Sequence, residues 1–160
     1  MLYLFIYNKG DIKEMLLLGL QNTTSQTILT SGMITLGSVY RKYCKRINGT
    51  TTFSVTGSSA TLQQSGIYHI TATLVGSGTA AGVVTVQLNA NGTPVAGALA
   101  SETITTANTE QRTFVIDQYI LVDSTCVLGQ PAINPQTLIL TNTGVGATFT
   151  NVTFNVEKVL

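Results

Sequence analysis

At 160 residues the chain fits a single domain that buries well over half of its unfolded surface, so it needs no disulfide or metal staple to fold. Net charge is +1 and only 9% of residues are charged, against roughly a quarter in an ordinary soluble domain, which leaves no global field to draw in nucleic acid or an anionic membrane. The 27 threonines and the 44% hydrophobic fraction mark a β-rich composition, and so little charge points to surface buried between identical subunits or on a larger assembly.

The opening Met1-Leu2-Tyr3-Leu4-Phe5-Ile6-Tyr7 has no basic residue before its apolar run and is cut short by Asn8-Lys9-Gly10-Asp11. That is well under the roughly 20 apolar residues a membrane span needs. Lys9-Gly10-Asp11 can be encoded by a purine-rich ribosome-binding sequence a short spacer before Met15. Residues 1–14 are therefore expected to be upstream translation, with the functional chain starting at Met15. From there Met15 to Gln21 reads as a first strand or arm, residues 15–48 forming one domain with 49–160. Its Leu16, Leu17 and Leu18 are the candidates for the alternative, an anchor that inserts into a partner. Thr27 to Gly37 alternates loosely and ends in turn glycines.

Tyr40 to Arg46 then concentrates four of the eight basic residues: Arg41, Lys42, Lys45 and Arg46. Three readings remain: a solvated loop, docking on an acidic protein surface, or a grip on nucleic acid. The last finds no further basic stripe to extend its footprint. Short strands follow at Thr51 to Val55 and, after Gly66, at Ile67 to Val75. In this second run Tyr68, Ile70, Ala72 and Leu74 alternate strictly with Ile67, His69, Thr71 and Thr73, a central strand with one core face and one half-polar face. Gly76 to Gly82 reads as a flexible loop that lacks the lysine of a phosphate cradle. Further strands are expected at Val83 to Leu88, Val95 to Ala98, Ser101 to Thr106, Arg112 to Val122, Thr137 to Leu140 and Thr148 to Val159. In the fourth of these, Val115, Asp117, Tyr119 and Leu121 share a face. With no helical pattern anywhere, the chain is expected to be an all-β jelly-roll sandwich of about ten strands.

These strands resemble those of the tumour-necrosis-factor (TNF) and complement globular-head superfamily over about residues 50 to 160. Gly66-Ile67-Tyr68-His69-Ile70 is similar to its G-x-Y-x-aliphatic strand. Val83 to Gly92 resembles the next strand with its Asn-Gly turn, and Thr137 to Gly144 and Val152 to Val159 resemble the last two. The chain from Met15 also resembles small stand-alone proteins of this kind from bacteriophages of gut Firmicutes. The resemblance implies a compact homotrimer in which Tyr68 and Ile70 point into the core, while Ile67, His69, Thr71 and Thr73 wall the threefold interface. Where the TNF branch is aromatic or aliphatic at the axial positions, His69 and Thr71 are polar, implying a wetter channel. It further implies a virion protein that decorates a phage particle, docking on a capsid or other virion component through Leu16 to Leu18 and the Arg41 to Arg46 cluster. The alternatives are a receptor- or glycan-binding head using loops such as Gly76 to Gly82, and a bacterial surface or spore-coat protein.

Catalytic chemistry finds little to work with. His69 is the single histidine, with no carboxylate near it in its own strand, though distant Asp117 or Asp123 could fold beside it. Of seven acids, two precede Met15, which leaves few for paired-carboxylate chemistry. No enzyme, no cofactor, no nucleic acid and no membrane partner is expected. No metal site is expected either, the one candidate being His69 repeated around a threefold axis. Cys44 and Cys126 show no metal-binding or disulfide-dense spacing, and their pairing stays open.

Overall fold

The computed structural model describes residues 16–44, 46–47, 49–127 and 130–160. The expected upstream segment 1–14, the start at Met15, and Lys45 lie outside them. Along the chain the strands are β1 (Leu16–Asn22), β2 (Gln26–Ile28), β3 (Gly32–Ile34), β4 (Ser38–Tyr43), β5 (Arg46–Ile47), β6 (Thr50–Thr51), β7 (Phe53–Thr56) and β8 (Ser59–Leu62). They continue as β9 (Gly66–Gly78), β10 (Gly82–Ala90), β11 (Thr93–Ile104), β12 (Arg112–Val122), β13 (Ser124–Val127), β14 (Gln130–Ile133), β15 (Gln136–Asn142) and β16 (Ala147–Lys158). The described residues contain no helix.

Two antiparallel sheets face each other. The first has the order β12-β9-β16-β1-β4 with β2 added on β16, and the second the order β11-β10-β15-β8-β7 with β3 added on β15. The strict alternation of β9 buries Tyr68, Ile70, Ala72 and Leu74 between the sheets, as a half-buried strand requires. In β16 the buried residues are Ala147 and Phe149, then Val152, Phe154 and Val156. That change of parity is possible because the register against β9 slips by one residue between Phe149 and Asn151, a bulge that returns the following apolar residues to the core. Phe53 meets Tyr68 edge-on at 6.1 Å and Phe114 meets Phe149 edge-on at 5.9 Å, the favoured geometry for aromatic pairs. The buried Tyr68 hydroxyl donates to the Gln64 carbonyl at 2.7 Å, and burial pushes its pKa far above the ordinary phenol range.

Buried polar groups of the second sheet are paired, as burial demands. Gln87 Nε2 donates to the carbonyls of Leu88, Val95 and Ala98, and Asn142 Nδ2 donates to those of Ile28 and Val145. At one side of the sandwich Gln118 Nε2 donates to the Ala96 carbonyl at 3.0 Å, tying edge strand β12 of the first sheet to edge strand β11 of the second.

Three expectations change. Val95 to Ala98 and Ser101 to Thr106 are not separate strands, since β11 runs continuously through Ile104. The expected Gly76 to Gly82 loop is largely strand: β9 continues to Gly78, with Gly76 opposite Phe149 and Gly78 opposite Ala147. A Cβ at Gly76 would stand 2.7 Å from the Phe149 ring, so glycine is there for packing and not for flexibility. Finally, Leu16 and Leu18 are buried in the core as alternate residues of β1, which removes them from any attachment surface.

Candidate functional site

Register turns the outer face of the first sheet into ordered cross-strand rows. One row runs Tyr119–His69–Glu157–Leu17–Tyr43, and the next runs Asp117–Thr71–Asn155–Gly19–Arg41. A third runs Val115–Thr73–Thr153–Gln21–Ser38, and Leu121 lies opposite Ile67 at the lower end. The four residues expected to wall an interface therefore lie on the outer face, one strand in from the β12 edge. Ile67, His69 and Thr71 are half-buried and Thr73 is exposed.

His69 is held on two sides by β12. Its Nε2 lies 2.7 Å from Asp117 Oδ1, and its ring stacks on Tyr119 with centroids 4.7 Å apart and planes 20° from parallel. An ionised carboxylate can only accept, so Nε2 carries the proton, and in the neutral ring Nδ1 is left as an acceptor. The orienting carboxylate missing from the strand of His69 comes instead from the neighbouring strand, 48 residues away in sequence.

Across the sheet, Tyr40 lies over Gly19 and donates its hydroxyl to Asn155 Oδ1 at 2.6 Å. A Cβ at Gly19 would sit 2.7 Å from the Tyr40 ring, so the close approach requires glycine. The Arg41 guanidinium stands 5.7 Å from the Tyr40 ring centroid. Between these groups and His69 is a depression of about 190 Å³, lined by Leu17, Tyr40, Arg41, His69, Thr71, Asn155 and Glu157 among others.

Around it the face is unusually apolar for exposed surface. Val115, Tyr119 and Leu121 of β12 are 59%, 60% and 63% exposed, and Tyr43 on the opposite edge is 56% exposed. The outer face of the second sheet also carries about half-exposed apolar residues, Met33, Val83 and Leu99, among threonines and serines that satisfy one another across strands, Thr61 with Thr137 at 3.0 Å and Thr85 with Ser101 at 2.9 Å.

The basic cluster does not act as one patch. Arg41 is opposite Gly19 on the outer face, whereas Lys42 is opposite Leu18 and so sits on the other side of the edge strand β4. For Arg46 the backbone alone is described. Cys44 is an exposed free thiol, and the Cys126 side chain lies outside the described residues. Sequence reasoning missed Tyr40, Asn155 and Glu157. It had placed Asp117, Tyr119 and Leu121 on one face of a strand, but only register shows that this face adjoins His69. Among the described residues no group of three His, Cys, Asp or Glu side chains could hold a metal ion, and no helix is long and apolar enough to cross a membrane.

No protein-family model and no curated protein matches the chain. Solved structures do. Murine APRIL superposes with a TM-score of 0.62 at 7% identity, over 91% of this chain and all of that one. The fold is the TNF-like jelly roll. The globular domain of zebrafish complement 1qA gives a TM-score of 0.55 at 8% identity, covering 91% of this chain and 98% of the other. The PRD1 vertex protein P5, a phage protein, gives 0.52 at 16% identity, covering 90% and 96%.

Proposed function

We propose that this chain is a non-enzymatic homotrimer that decorates a bacteriophage particle, docking on a capsid or other virion protein. The observation that carries the trimer is the outer face of the first sheet, where exposed Val115, Tyr119, Leu121 and Tyr43 surround the half-buried Ile67, His69 and Thr71. Exposed apolar surface on that scale, in a chain with 9% charged residues, calls for a partner, and identical copies supply one by symmetry. The likeness to a phage vertex protein supports the virion setting. Attachment to the particle falls to the Lys42 side of β4 and the following Lys45 and Arg46, because Arg41 shares the face assigned to the trimer. Substituting Lys42, Lys45 and Arg46 together by Ser is expected to release the protein from particles while its native mass stays that of a trimer. Unchanged particle association would contradict the docking assignment.

A second reading, a receptor- or glycan-binding head on a virion, bacterial or spore surface, is favoured by the likeness to the complement globular domain. It predicts particle association that survives these substitutions, together with measurable binding of host cells or glycans.

A further inference from the structure

Asp117 and Arg41 end the same cross-strand row at opposite edges of the first sheet. Four strand spacings separate them, roughly 19 Å, so they cannot pair within one chain. Each is nevertheless open to a partner. Asp117 is 65% exposed, and with one oxygen bonded to His69 the carboxylate still has a second to offer. Arg41 is exposed, and among the described residues no carboxylate lies within ion-pair distance of it, Glu157 included.

Exposed apolar side chains stand at both edges of the face, Val115, Tyr119 and Leu121 on β12 and Tyr40 and Tyr43 on β4, with the depression between them lined from β9, β16, β1 and β4. A face with an open acid at one edge and an open base at the other suits head-to-tail contact, the kind that closes into a ring.

We propose that the β12 edge of one copy seats against β16, β1 and β4 of the next, with Asp117 paired to the next copy's Arg41 and Tyr119 entering its depression. There the Tyr119 hydroxyl finds the Glu157 carboxylate as an acceptor. The inference rests on the reading of this sheet face as the surface shared between copies, and it adds which edges meet and which charges set their register. On a face with so few charges, a single mismatched pair is enough to oppose assembly.

The test is a charge swap on the full chain, read by native mass across a dilution series. Asp117→Arg and Arg41→Asp are each expected to weaken assembly by about tenfold or more, and the double variant Asp117→Arg/Arg41→Asp to regain it. Circular dichroism of each variant checks that the subunit is folded. The neutral pair Asp117→Asn and Arg41→Gln, alone and combined, gives the same coupling without new repulsion. Single swaps that assemble like the parent, or a double variant no better than either single, would overturn the pairing while leaving the trimer standing. A monomeric parent protein would overturn the shared-face reading and this inference with it.

Discussion

Replacing Tyr119 by Ala separates assembly from folding. In the subunit Tyr119 is 60% exposed and its ring stacks on His69. An aromatic side chain carries roughly 150–250 Å², so burying its exposed part in a neighbour removes about 100–150 Å² from water, or about 2–4 kcal/mol per contact at ~25 cal/mol/Å². Each 1.4 kcal/mol is roughly tenfold, and Tyr119→Ala should weaken each contact by about 30-fold or more. The loss to subunit stability is smaller than that summed over the contacts of a ring, the His69 stack contributing about 1 kcal/mol beside the lesser, already buried part of the side chain. Sedimentation at decreasing concentration would show the variant dissociating where the parent does not, with little change in its urea midpoint once both are monomeric. Equal dissociation of parent and variant would refute the placement of Tyr119 in a contact. Loss of the subunit fold would refute the account of its exposure.

Leu18→Ala tests the correction at the N-terminal strand: a fully buried leucine costs about 2–5 kcal/mol when truncated, seen as an earlier urea transition, whereas an exposed anchor would leave that transition in place. Tyr68→Phe removes the hydroxyl's hydrogen bond to the Gln64 carbonyl and should cost about 0.5–1.5 kcal/mol, read as an earlier urea transition. Gly19→Val drives Tyr40 off its seat, and loss of the Tyr40–Asn155 hydrogen bond should appear as a shifted Asn155 side-chain amide resonance, with an unmoved resonance contradicting the close approach. Glu110, at the turn between β11 and β12, accepts hydrogen bonds from the backbone and hydroxyl of Thr105 and from the backbone of Thr106, which with Arg112 nearby lower its pKa from the ordinary 4.5 to about 2. A lowered carboxyl pKa stabilises the turn above its unfolded value, and this stabilisation is lost as pH falls from about 4.5 to about 2. The Thr105 amide resonance should follow that low midpoint, and a midpoint near 4.5 would contradict the geometry.

What could be read from the sequence was local period. The alternation from Ile67 to Leu74 assigned core and outer face residue by residue, because a strand with one buried side repeats every two residues. The bulge in β16 left its own trace, since Phe149 and Val152 cannot share a face without an extra residue between them. What could not be read depends on long-range register. Asp117 meets His69 across 48 residues of chain, and nothing near either residue announces the pairing. The Gly76 to Gly82 stretch misled for a related reason: glycine marks turns and close approaches alike, and only the neighbouring Phe149 ring identifies the second. The basic run of Tyr40 to Arg46 looked like one patch because sequence adjacency hides the alternation that sends Arg41 and Lys42 to opposite sides of β4.

The central claim is that the outer face of the β12-β9-β16-β1-β4 sheet is buried between three copies of this chain. Native mass in solution at micromolar concentration tests it most directly. The expected result is a single species at three times the 16.9 kDa chain mass. A stable, soluble monomer at the same concentration would contradict it.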